Sequence, residues 1–168
     1  MMWLFIVILV AVDQLTKYLV VQNLGPKDFI TVIPNFFEII YRENRGAAWS
    51  LLADANWGIY VLRIISLLAA ILFCFLLTKI KHNWLKVAMV LMIAGTIGNG
   101  IDRWLLGYVV DFLSFTFGSY VFPTFNVADS VLVVGTIMFA AGMLFIPHDK
   151  QFDEDKKLTV LKEDDDAE

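Results

Sequence analysis

The chain has 168 residues, 59% hydrophobic and only 18% charged, with a formal net charge of −4. A soluble domain of this size is nearer 45–50% apolar and roughly 25% charged, and the single cysteine, Cys74, excludes an internal disulfide framework. The apolar excess gathers in four blocks, 3–21, 57–77, 85–101 and 127–146, each close to the roughly 20 residues that cross a hydrocarbon core about 30 Å thick. The composition therefore excludes a soluble enzyme and a disordered chain. It predicts an all-α transmembrane fold, a four-helix membrane bundle in one membrane-embedded domain over 1–146, with outer loops 22–56 and 102–126 and a tail over 147–168.

The first span carries Asp13-Gln14-Leu15-Thr16-Lys17. Asp13 and Lys17 are i and i+4, so they share one helix face. Pairing offsets a burial cost of about 2.5–3.5 kcal/mol per charge. The block lacks a basic leader and a small-residue cleavage site, so it does not read as a cleavable signal. In the loop 22–56, Phe29–Ile33 and Phe37–Tyr41 are rich in β-branched and aromatic residues and predict two strands. Glu43-Asn44-Arg45-Gly46-Ala47-Ala48-Trp49 follows, in which Asn44 and Gly46 supply turn chemistry. The second span contains Arg63, close enough to one end to snorkel, and Cys74, a small packing residue. Bulky Phe73 precedes Cys74, where a lipid-modification site would need a small residue.

The third span ends in Gly95-Thr96-Ile97-Gly98-Asn99-Gly100-Ile101-Asp102-Arg103. The glycines permit close helix packing. Asn99 and Arg103 share a face, with Asp102 three residues from Asn99. The loop 102–126 then holds Val109-Val110-Asp111-Phe112, an acid between apolar neighbours. Beyond it lie two further strand candidates, Phe115–Phe117 and Tyr120–Phe122, joined by Gly118-Ser119. Asn126 opens the fourth span as a cap, with Asp129 at the third position, where the helix dipole favours an anion. The tail has four Lys against nine Asp/Glu, a solvated segment predicted to be disordered.

The short connection 78–84 and adjacent Lys86 contain Lys79, Lys81 and Lys86 and no acids. Basic connections face the cytoplasm. Both termini are therefore expected inside. The two longer loops are expected outside, their strands forming a small extracytoplasmic β subdomain, or cradle, with an interfacial loop. No basic stripe suggests nucleic acid, and no internal repeat suggests an inverted-repeat transporter.

This topology puts Asp102, Asp111 and Asp129 in one thin layer at the outer boundary. Two carboxylates a few ångström apart can share a proton near neutral pH. Such a pair polarises water for attack on a peptide carbonyl and protonates the leaving amine, so no metal or other cofactor is required. His82 and His148 fall in cytoplasmic segments, away from these acids, which disfavours zinc and a Ser-His hydrolase. A proton- or ion-translocating carrier would need acids spread through the membrane depth, and only Asp13 lies deep. A non-enzymatic membrane scaffold would need none of them.

Five blocks, in order, resemble those of the lipoprotein signal peptidases, or signal peptidase II. They are Asp13-Gln14-x-Thr16-Lys17, Asn44-x-Gly46-x-Ala48-Trp49, Gly95-x-x-Gly98-Asn99-x-x-Asp102-Arg103, Val109-Val110-Asp111-Phe112 and Phe125-Asn126-x-Ala128-Asp129. Each is weak alone, and the ordered set across residues 13–130 is specific. The resemblance implies an aspartic endopeptidase of the bacterial cytoplasmic (inner) membrane. It would cut signal peptides from diacylglyceryl-modified prolipoproteins just before the lipidated cysteine, contact membrane lipid, act as a monomer and be inhibited by cyclic peptides of the globomycin type. It implies Asp111 and Asp129 as the catalytic pair. Asn44, Asn99, Arg103 and Asn126 would line the site, Asp13 and Lys17 would support it, and Asp102 would act structurally beside Arg103. Two residues depart from the pattern: Ala94-Gly95 replaces a glycine pair, and Gly100 stands where a larger apolar residue is usual. The helix dipole suggests that Asp129 ionises more readily and that Asp111 keeps the shared proton.

Overall fold

The computed structural model describes residues 2–46 and 57–152. Four helices, α1 (Met2–Asn23), α2 (Gly58–Lys79), α3 (Asn83–Leu105) and α4 (Val127–Phe145), are long and apolar enough to cross a membrane. A four-stranded antiparallel sheet, β1 (Phe29–Ile33), β2 (Phe37–Asn44), β3 (Val109–Phe117) and β4 (Tyr120–Val121), is attached in the order β1-β2-β3-β4. Ala48 and Trp49 of the second motif lie outside the described residues, as does the tail from 153 onward.

Helix α3 is the axis of the bundle, packed against α1, α2 and α4 and buried along most of its length. Its neighbours instead turn large apolar side chains outward, including Phe5, Leu15, Ile64, Leu68, Phe75, Val133 and Ile137. In water such surfaces would drive association; in hydrocarbon they are the ordinary outer face of a span. Lipid is as apolar as leucine, so helix association here relies on close packing. Helix α4 accordingly presents Ala128, Gly135 and Gly142, seven residues apart, as its buried stripe. A Cβ on Gly135 would lie 2.8 Å from the Ala88 carbonyl oxygen, and one on Gly95 would lie 2.7 Å from the Leu132 Cβ. Glycine at these positions lets the α3 and α4 backbones touch.

Helix α3 runs four residues past the expected span end at 101, to Leu105. Asp102 and Arg103 were expected to begin a loop, but the Asp102 charge is compensated by α1, so the helix continues through it. The turn into β3 uses Gly107 at φ +83°, and the β3–β4 turn uses Gly118 at φ +64°. Both are left-handed conformations that a Cβ would strain. Strand β3 is also longer than the predicted 115–117. Its first four residues are all buried, so the alternation that marks a half-exposed strand is absent. Asp111 therefore sits within a buried strand.

The polar tail begins with a packed segment. Pro147 leads into a short 3-10 helix, His148–Lys150. Gln151 follows, buried, its Nε2 donating to the carbonyls of Ile146 (2.6 Å) and Met143 (3.2 Å) at the end of α4. The Gln151 carbonyl accepts from Lys81 N at 2.9 Å. The segment thus satisfies orphan groups at helix ends, which composition does not reveal.

Gly95→Ala should lower the thermal stability of the purified protein by about 1–3 kcal/mol, the usual cost of overpacking. Gly100→Ala, whose added Cβ would lie 3.7 Å from the Ser66 Cβ, should change it by less than about 0.5 kcal/mol. Thermal unfolding in detergent measures both.

Candidate active site

The end of the bundle nearest the sheet collects the acids of the four helices, Asp13, Asp102 and Asp129. Lys17, with 3% of its surface exposed, is the cation at its centre. Its Nζ donates to Asp13 Oδ2 (2.9 Å), Asp102 Oδ2 (3.0 Å) and Asn99 Oδ1 (3.1 Å). An ammonium has three protons, and all three have acceptors. Asp13 reaches across the bundle, its Oδ1 accepting from the Ala128 amide at 2.8 Å, one of the first-turn donors of α4 that the helix itself cannot satisfy. Gly98 leaves room for this acid, since a Cβ there would lie 2.7 Å from Asp13 Oδ2.

Asp102 accepts from Gln14 Nε2 (2.9 Å) and from the Val110 amide (3.0 Å) as well as from Lys17. Its ionic partner is Lys17, and the adjacent Arg103 lies outside salt-bridge distance of it. Arg103 instead points its guanidinium toward the carbonyls of Asn99 (3.5 Å) and Gly46 (3.4 Å), and its buried Nε has no acceptor among the described residues.

The two acids of the last blocks are brought together by local folding. Strand β3 pairs with β2 on one side, in a register that sets Arg42 opposite Asp111 and Asn44 opposite Val109. On its other side, the Phe112 and Leu113 amides donate to the Phe125 carbonyl at 3.0 and 2.8 Å. Asp111 therefore lies between Asn44 and Asn126. Asn44 Nδ2 donates to its Oδ2 at 2.9 Å and Asn126 Nδ2 to its Oδ1 at 2.7 Å. Asn126 is also the cap of α4: its Oδ1 accepts from the Asp129 amide (2.8 Å), and Asp129 Oδ2 accepts from the Asn126 amide (3.2 Å). Asn99 Nδ2 donates to the other Asp129 oxygen, Oδ1, at 2.7 Å. One fully buried asparagine thus joins both carboxylates.

Their surroundings differ. Asp111 is buried, and Asp129 is partly buried at the first turn of α4. Burial, followed by the nearby Asp129 charge, pushes the Asp111 pKa up to about 7 against the lowering influence of Asn44, Asn126 and Lys17. Asp111 is thus a carboxyl poised to exchange a proton at neutral pH.

The structure thereby brings Asp13, Lys17, Asn44, Asn99, Asp111, Asn126 and Asp129 into one hydrogen-bonded network, with Arg103 on its edge. Asp13 belongs to this same layer, although its place in the middle of α1 suggested greater depth. Gln14 is the residue that sequence reasoning passed over. It donates to Asp13, to Asp102 and to the Gly98 carbonyl, and the available signal was its position beside Asp13 in the middle of an apolar helix. His82 caps α3 and His148 lies in the 3-10 helix after α4, both at the opposite ends of these helices from the network.

A membrane helix bundle that converges acids and amides at one end fits a membrane-embedded peptidase of the aspartic type. Residues 5–145 match the family model described as signal peptidase (SPase) II. The lipoprotein signal peptidase of Bacillus pumilus (strain SAFR-032) is 42% identical over 137 residues, covering 82% of this chain and 88% of that protein. That of Psychromonas ingrahamii is 35% identical over 158 residues, covering 92% and 91%. A bacterial membrane enzyme solved by the in meso method at 2.3 Å superposes with a TM-score of 0.79 at 34% identity, covering 92% of this chain and 93% of that one. The chain belongs to the signal peptidase II family, and is a multi-pass bacterial membrane protease of the aspartic type. This favours the peptidase over the carrier and scaffold readings.

Lys17→Met leaves two buried carboxylates without their cation and should cost about 3–5 kcal/mol of stability. Adding Asp102→Asn should recover part of that loss, because it removes one of the two stranded charges. Thermal unfolding of the single and double variants tests the coupling.

Proposed function

We propose that this chain hydrolyses the signal peptide of diacylglyceryl-modified prolipoproteins immediately before the lipidated cysteine, with Asp111 and Asp129 as the catalytic pair. Ionised Asp129 takes a proton from the attacking water while neutral Asp111 donates to the scissile carbonyl. The new C–O bond gives a tetrahedral intermediate. Its C–N bond then breaks as a carboxyl proton passes to the leaving amine. The observation that carries this reading is the Asn126 side chain, which holds Asp111 by its Nδ2 and the Asp129 amide by its Oδ1. The raised Asp111 pKa and the place of Asp129 in the first turn of α4, where the helix dipole favours an anion, support the division of roles.

Asn44 and Asn99 orient one oxygen of each acid. Arg103, whose Nε has no acceptor among the described residues, offers a donor to a substrate carbonyl. Asp13 and Lys17 hold α1, α3 and α4 in register around them. A cyclic peptide of the globomycin type occupies the same cleft. The site faces outward, with both termini cytoplasmic, as the basic connection of Lys79, Lys81 and Lys86 supports. The sheet forms a cradle whose ring contacts among Phe36, Phe37, Phe115, Phe122 and Phe125 give an apolar cover for a bond held near the interface.

Asp111→Asn and Asp129→Asn should each lower cleavage of a diacylglyceryl-modified prolipoprotein by at least about 10³-fold with little loss of stability. Normal cleavage by either variant removes that residue from the pair. Because the proposed donor is neutral Asp111, activity should be present below pH 7 and fall as the pH rises through about 7. Asn44 stabilises the charged form of Asp111, so Asn44→Ala should raise the Asp111 pKa and move this alkaline limb to higher pH. A pH–rate profile of kcat/KM measures both.

A further inference from the structure

Between α2 and α3 lies an apolar groove of about 300 Å³, lined by Ser66, Ala70, Thr96, Ile97, Gly100 and Trp104 among others. Gly100 opens it: the nearest atom to a Cβ placed there is Ser66 Cβ at 3.7 Å, so a larger apolar side chain at this position would enter the groove. Arg63 stands at one end, one turn before Ser66 and Leu67 on the same helix face. Its Nε donates to the Arg103 carbonyl at 2.6 Å, and its guanidinium lies 5.4 Å from the Tyr60 ring and 5.7 Å from the ring of Trp104, itself a groove residue. No carboxylate among the described residues comes within salt-bridge distance of Arg63. Its terminal nitrogens also have no protein acceptor among those residues.

A fixed guanidinium beside Trp104, continuous with a slot as apolar as lipid, matches a phosphate joined to an acyl chain. We infer that the α2–α3 groove is a binding site for an anionic phospholipid, with its phosphodiester on Arg63 and one acyl chain against Gly100 and Ala70. Charge complementarity selects a phospholipid over the uncharged diacylglyceryl group of the substrate. The role of Arg63 is then more than snorkelling: it holds the lipid headgroup and, through the Arg103 carbonyl, ties it to the end of α3.

The test is lipid retention by the purified full-length protein, read by native mass spectrometry after mixing with equal amounts of phosphatidylglycerol, phosphatidylcholine and diacylglycerol. The wild type should retain phosphatidylglycerol about fivefold over phosphatidylcholine, the preference expected for one basic side chain at the membrane surface. Arg63→Gln should bring the two phospholipids to parity, and Gly100→Leu should weaken both alike. Added salt should erode the wild-type preference, a measurement independent of whether the variants fold. Equal retention of the two phospholipids by the wild type, a preference that survives Arg63→Gln, or unchanged retention by Gly100→Leu would each overturn the proposal. Retention of diacylglycerol equal to that of phosphatidylglycerol would assign the groove to an uncharged lipid instead.

Discussion

A lysine ammonium buried inside a membrane bundle must be neutralised and fully hydrogen-bonded, or the fold fails. Lys17 meets that demand with two carboxylates and one amide from two helices. Each acceptor then carries a further obligation. Asp13 ties down the first turn of α4, Asp102 holds the Val110 amide at the start of β3, and Asn99 turns its Nδ2 to Asp129. One cation thus sets the positions of three helices and a strand. Replacing such a cluster with apolar residues is often neutral or stabilising in a soluble protein. Its presence here is better explained by what it orients than by the stability it adds.

Asn126 converts that scaffold into an asymmetric pair of acids. A capping box normally satisfies orphan amides at a helix end and nothing more. Here the cap retains a free Nδ2, and Phe125 holds the chain against β3, so that Nδ2 meets Asp111. The two carboxylates share a residue but not an environment: one is enclosed in a strand, the other sits partly buried at a helix N-terminus. Unequal environments are how a single site assigns acid and base roles to chemically identical groups.

The four spans were legible because each apolar block is about as long as the membrane is thick. Their ends were less so. The end of α3 depended on Asp102 meeting a lysine 85 positions earlier in the chain, and no local pattern encodes that. Strand β3 was mostly missed because burial on both faces removes the period-two signal. Asp111 itself stood out, as an acid between apolar residues does, but Asn44 as its partner depended on a strand register. The structural role expected of Asp102 left its partner open, and no local pattern pointed to Lys17, because residues one apart on a helix, such as Asp102 and Arg103, do not face each other. Gln14 was overlooked for a related reason: glutamine carries no charge, so its burial raises less suspicion than that of Asp13 beside it.

Helix α3 also shows how such a short chain keeps packing and chemistry apart. Its first turns, with Leu85, Ala88 and Met89, are apolar and lie against the other helices. Its last turns carry Asn99 and Asp102 on the faces toward α4, α1 and the sheet, with Arg103 reaching the Gly46 carbonyl just past β2. Placing the polar groups at one end confines the desolvation cost to a layer where the backbone of the sheet and helix-terminal amides supply extra donors. A polar cluster midway along the helix would have no such donors within reach and would have to be satisfied by side chains alone. The attached sheet follows from the same requirement. Strand β3 and Phe125 bring backbone amides and carbonyls against the polar end of the bundle, and that supply of backbone partners allows Asp111 to be buried beside Asp129.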